Sequence, residues 1–223
     1  MSYKVKENFE INCGFNVKIT NIKDAIESTN SLLSELPSTL YKSIDFKTIS
    51  AMIGAIFCDN LASETNSIVN PIEKGHPDII PSSAKDCTEA ELKKYPEGLE
   101  IKCTVGNITQ GVKLNAGSPR IDNLTGITWQ AHHREVESLL GLVWDFINVD
   151  ENFNFPKIAG AFYAADLIED DWGVISGTTG RNTKVTGMAA SGKKKMGEGW
   201  LAIVDKAEYT TSYQKKLKFS ISN

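Results

Sequence analysis

The stretch from Leu139 to Ile147, LLGLVWDFI, constrains this 223-residue chain more than any other. It is nearly all apolar, as a strand buried on both faces of a covered sheet would be. The segment Leu99 to Val105 has a different texture. Leu99, Ile101, Cys103 and Val105 alternate strictly with Glu100, Lys102 and Thr104, which predicts a strand with one apolar and one polar face. Pro96-Glu97-Gly98 supplies a turn signal just ahead of it.

Helical spacing dominates the first part of the chain. Phe46, Ile49, Ile53, Ile56 and Phe57 recur on one face, with Ser43 and Asp45 as candidate caps. A weaker pattern over Ala25, Ile26, Leu32, Leu33 and Leu36 stops at Pro37. After Asn70-Pro71 the texture changes to a short strand-like run, Ile79-Ile80, and then to a turn-rich stretch up to Gly98. Ile158 to Ile168 and Trp200 to Val204 are further strand candidates. Strands mixed with helices, and no repeat or linker between them, predict a single α/β domain over residues 1–223.

A hydrophobic share of 41% and a charged share of 23% suit a globular protein. No apolar run approaches the roughly 20 residues of a membrane-spanning helix, so no membrane partner is expected. No signal-like stretch follows Met1 to Lys6, and a cytoplasmic location is the expectation. Cys13, Cys58, Cys87 and Cys103 are scattered without CxxC pairing, which favours free thiols over disulfides or a zinc site.

The net charge of -4 is unevenly spread: residues 176–223 hold nine Lys or Arg against three acids. Such asymmetry fits a polyanion-binding surface late in the chain and an acidic, metal-binding cluster before it. Between Ile175 and Trp200, six glycines accompany Arg181, Lys184, Lys193, Lys194 and Lys195, which predicts a long mobile loop or hairpin near 176–199. The stretch does not complete a GxxxxGK[ST] pattern, so its basic residues point to phosphate contacts and not to a nucleotide-cradling loop.

The chain contains three acid-x-Lys triplets: Asp45-Phe46-Lys47, Glu91-Leu92-Lys93 and Glu100-Ile101-Lys102. Only the third sits on a cleanly alternating strand, where Glu100 and Lys102 share a face. It also follows, by 22 residues, the chain's sole Pro-Asp dipeptide, Pro77-Asp78. Phosphodiester hydrolysis needs a water nucleophile, a cation to stabilise charge on the phosphorane, and a group to orient or deprotonate that water. Asp78 and Glu100 could supply two carboxylates to Mg²⁺, with Lys102 close to the scissile phosphate.

Gly75-His76-Pro77-Asp78-Ile79-Ile80 followed by Leu99-Glu100-Ile101-Lys102 resembles the signature of PD-(D/E)XK nucleases, the superfamily of most type II restriction endonucleases. The resemblance covers the core from about Phe46 to Ile147. It implies a restriction-endonuclease-like fold, a mixed central β-sheet flanked by α-helices, with the metal site where two strands diverge. It further implies Asp78, Glu100 and Lys102 as catalytic residues, and Asp78, Glu100 and Ile101 as the Mg²⁺-binding positions. A carboxylate from the preceding helix often joins such sites; Asp59 and Glu64 are the candidates.

Gln130, His132, His133 and Arg134, just ahead of the apolar strand, suit contacts to phosphates or base edges of double-stranded DNA. All three histidines, His76, His132 and His133, lie near the proposed core. One active site cannot readily cut both strands of a symmetric sequence, so a homodimer is expected. Two alternatives stay open: a structure-specific repair or recombination nuclease of the junction-resolvase kind, and a non-catalytic DNA-binding protein with the acid-x-Lys strand as coincidence. The acidic overall charge counts against the resolvase.

Overall fold

The computed structural model describes residues 1–73, 75–106, 138–148, 154–173 and 187–221. Its centre is a five-stranded sheet in which Tyr3–Val5 (β1), Trp200–Val204 (β9), Asn154–Ala164 (β8), Leu139–Asn148 (β7) and Glu100–Val105 (β6) lie side by side in that order. Only β6 and β7 run parallel; every other neighbouring pair is antiparallel. The sheet is mixed and helices cover it, as expected.

β7 explains why the sheet needs a layer on each side. Leu140, Leu142, Trp144 and Phe146 belong to one core, while Leu139, Val143 and Ile147 belong to the other. The period-2 geometry of a strand sends alternate side chains to opposite faces, so an apolar run buries both. Ile19–Glu35 (α1) and Phe46–Ser63 (α3) pack on the first face. Ala190–Glu198 (α5) and Ala207–Leu217 (α6) pack on the second.

Local chemistry starts and stops these helices. The Asp45 carboxylate accepts the Thr48 amide at 2.7 Å and opens α3, whose Ile49, Ile53, Phe57 and Leu61 form its buried face. α1 ends at Glu35, just ahead of Pro37, and Ser38–Ser43 (α2) follows. Buried polar groups then lock the layers together. Asn30 on α1 accepts the Ile158 amide of β8 at 2.7 Å and donates to the Tyr3 hydroxyl of β1 at 2.7 Å. The Trp144 indole donates to Ser50 of α3 at 2.8 Å, so its burial leaves no polar atom stranded.

Two small ribbons flank the sheet: Glu10–Asn12 (β2) with Asn16–Lys18 (β3), and Ser67–Val69 (β4) with Ile79–Pro81 (β5). After β5 the chain makes a 3-10 turn and a single helical turn, Glu89–Leu92 (α4), which the Thr88 and Glu91 side chains cap reciprocally. Ile80, Ala84 and Leu92 form a minor core beneath this excursion.

Two expectations need correction. The segment near 176–199 is not a loop throughout, because 190–198 form α5; residues 176–186 lie outside the described residues. Glycine in α5 serves packing. A β-carbon on Gly192 would stand 2.6 Å from the Asp171 carbonyl, and one on Gly197 would stand 2.5 Å from that of Leu217. The strand sought over 158–168 occupies Asn154–Ala164 instead, and Leu167 drops into the second core. No described helix is long and apolar enough to cross a membrane.

Candidate active site

β5 and β6 meet through a single narrow pair. Ile79 and Leu99 exchange backbone hydrogen bonds of 3.1 and 2.8 Å. Gly98, at φ +147°, makes this approach possible, since the Ile79 carbonyl lies where a β-carbon would stand. In an antiparallel ladder the next rung would join Ile101 to Pro77. That rung is missing: Pro77 has no N–H to give, and its carbonyl accepts from the Asn70 side chain at 3.0 Å. The Asp78 carboxylate replaces it and takes the Ile101 amide at 2.7 Å. The strands therefore part at the Pro-Asp step, with Asp78 held in the fork.

Asn70 organises the outer arm of that fork. Its side chain also donates to Leu92 at 2.9 Å and accepts from the Ile72 amide at 3.1 Å, while its amide donates to the Asp78 carbonyl at 2.8 Å. The arm brings His76 over β6, where His76 Nδ1 lies 3.1 Å from Glu100 Oε2. On the other side Lys102 Nζ lies 2.7 Å from Glu100 Oε1. Glu100 is only 3% exposed. A carboxylate this deep is tolerated because a cation and a ring nitrogen sit against it. Gly141 is the register neighbour of Lys102 on β7, so that position sets no side chain beside the lysine.

The acids outnumber the local cation, and the titration behaviour follows. Burial, reinforced by the Glu100 charge, pushes Asp78 up to about 6, although the Ile101 amide and Lys102 oppose the shift. Burial alone would lower the Lys102 pKa. The Glu100 charge and hydrogen bond, with Asp78 behind them, outweigh it and hold the ammonium above its ordinary value. Lys102 is thus a protonated cation at neutral pH, and not a free base. Behind the fork, burial pushes Cys103 up to about 12 and Cys58 well above the usual thiol range, with the Asp78 charge adding to both. These thiols stay protonated and serve as small apolar groups, as the sequence suggested.

The structure thus gathers Asp78, Glu100, Ile101 and Lys102 at one point. The Ile101 side chain is buried in the core, so only its backbone faces the fork. A residue's C=O and N–H leave a strand on the same side, which directs the Ile101 carbonyl towards Asp78. Asp78, Glu100 and that carbonyl form an all-oxygen donor set of the kind magnesium takes. No cluster of three or more His, Cys, Asp or Glu side chains with metal-holding geometry occurs among the described residues. Asp59 and Glu64 are both exposed; on α3 it is the buried Cys58 that feels the charges of Asp78 and Glu100.

Of the basic residues, Lys193, Lys194 and Lys195 lie on α5. Lys195 binds Asp171 at 2.8 Å and Asp166 at 3.3 Å, and Lys194 reaches Glu198 at 3.6 Å. Lys195 is a structural tie. Gln130, His132, His133, Arg134, Arg181 and Lys184 lie outside the described residues. Sequence reasoning placed His76 near the core without giving it a role, and it missed Asn70 and Gly141. An Asn before Pro and a Gly within an apolar run carry no functional signal of their own. No family model, curated protein or solved structure matches the chain.

Proposed function

We propose that this chain is a magnesium-dependent deoxyribonuclease, and within that class a type II restriction endonuclease that cuts a specific double-stranded DNA sequence as a homodimer. The observation that carries this reading is the fork itself: Asp78 hydrogen-bonded to Ile101, with Glu100 and Lys102 in contact on the adjoining strand. A solvent-facing Glu-x-Lys strand would leave its acid in water, whereas Glu100 is buried beside a second acid, Asp78, whose pKa burial raises.

Asp78, Glu100 and the Ile101 carbonyl are the groups that would hold Mg²⁺. When bound, such an ion would supply charge stabilisation at a phosphoryl oxygen and would lower the pKa of a water it holds. The chain's own part is to fix the oxygens, through the Ile101 amide on Asp78 and His76 on Glu100. Lys102 brings a positive charge to the phosphate, where charge develops during attack.

Incubating the protein with plasmid and phage DNA, with and without Mg²⁺, tests the reading. Discrete Mg²⁺-dependent fragments are expected. Cutting confined to branched substrates would replace it with a structure-specific nuclease, and intact DNA throughout would favour a non-catalytic binder.

A further inference from the structure

Glu100 has no idle oxygen: Oε2 faces His76 at 3.1 Å, and Oε1 faces the Lys102 ammonium at 2.7 Å. Apart from that ammonium, Oε1 meets no directed hydrogen bond among the described residues. Lys102 is therefore its sole compensation in a buried setting. A magnesium-sized ion bonds oxygen at roughly 2.0–2.1 Å. Seated on the same oxygen, ion and ammonium would lie less than about 5 Å apart, and like charges at that range repel.

We propose that Lys102 is the built-in counter-ion of Glu100, and that a divalent cation enters the fork only by displacing the ammonium from Oε1. The inference rests on the nuclease reading and deepens it. It gives Lys102 two successive roles. In the protein alone it neutralises the buried acid. Once displaced, the same ammonium is free to reach a phosphate oxygen. Its second role depends on its being evicted from the first.

The consequence runs against the ordinary expectation for a site residue. Removing the lysine charge should improve cation binding while it abolishes cutting. Mn²⁺ binding to the full chain, read from the loss of the free-ion electron paramagnetic resonance signal, measures this directly. Lys102→Met and Lys102→Gln should each bind Mn²⁺ more tightly than the wild type, on the order of tenfold or more, since a competing cation has been removed. The Gln variant keeps a donor for Oε1, which protects the fold if the Met variant is unstable. Lys102→Arg keeps the charge and should stay close to wild type, and Glu100→Gln should lose binding.

Unchanged or weaker Mn²⁺ affinity in both neutral variants overturns the displacement model. If the wild type nevertheless cuts DNA, the nuclease reading survives that failure. Absence of Mn²⁺ binding in wild type and variants alike, with no DNA cut, overturns both.

Discussion

Glu100 and Asp171 are both buried acids that meet a lysine, and their surroundings are opposite in kind. Asp171, between β8 and α5, contacts Lys195 at 2.8 Å and also accepts the Ile168 amide at 3.0 Å. Burial works against its charge, yet the Lys195 contact, the Ile168 amide and Ser191 together hold its pKa below the ordinary carboxylate value. At the fork, Lys102 must serve both Glu100 and Asp78, and Asp78 is left with a pKa of about 6. One acid is oversupplied with donors and the other pair is short of positive charge. A lysine–acid contact is therefore no sign of function by itself; a shortage of cations around buried acids is.

The largest effect expected from this contrast is on activity. Lys102→Ala should lower DNA cutting by at least about a hundredfold, the scale for losing one preorganised charge at a transition state. Lys195→Met should leave cutting close to wild type while lowering the thermal midpoint, because it strips the buried Asp171 of its partner. Comparable losses of cutting in the two variants, at equal folded fraction, would erase the distinction.

Next in size is a pH-dependent stability change at Asp78. Its folded pKa lies above the ordinary value, so the folded state holds the proton more tightly than the unfolded chain. Stability is then lost as pH rises from about 4 to about 6, and stays lost above that. Asp78→Asn should recover up to about 3 kcal/mol at pH 8 and almost nothing at pH 4, judged by denaturant melts at both values. In contrast, Asp171→Asn should cost stability at pH 8, since a depressed carboxylate stabilises the fold above its pKa. A gain for both substitutions, or a loss for both, would break the comparison.

The smallest effect concerns the glycines beside the two acids. Gly98→Ala pushes a β-carbon into the Ile79 carbonyl at a positive φ, and should cost about 1–3 kcal/mol. It should also reduce cutting, because Asp78 hangs from that strand pair. Gly192→Ala presses on the Asp171 carbonyl and Met188, and should cost a similar amount without a separate effect on cutting. Activity per folded molecule, measured for both, separates the two.

Much of this arrangement was legible in the sequence, for identifiable reasons. LLGLVWDFI alternates between two cores because a strand has only two faces, and the polar set Glu100-Lys102 sits opposite an apolar set that α3 covers. Gly98 and the Pro-Asp step are local signals, so the fork could be located from them. The role of His76 was not legible. Its contact with Glu100 depends on Asn70 folding the 70–78 arm back over β6, a tertiary event. α5 was hidden because glycine lowers helix propensity, and tertiary packing against Asp171 and Leu217 overrode that preference. β1 is three residues long and pairs with β9 near the other end of the chain, leaving no local pattern to find.

The missing rung between Pro77 and Ile101 has a consequence for descent as well as for chemistry. Asp78 completes the ladder with its own side chain, so folding alone selects for an oxygen at that position. Glu100 and Lys102 answer to each other, with His76 on the second Glu100 oxygen, and neither closes a gap in the backbone ladder. On the proposed nuclease reading, a lineage that gave up cutting DNA would be free to erode residues 100 and 102 while keeping Asp or Asn at 78. In such a descendant the last recognisable trace of the reaction would be the residue that also holds the backbone together.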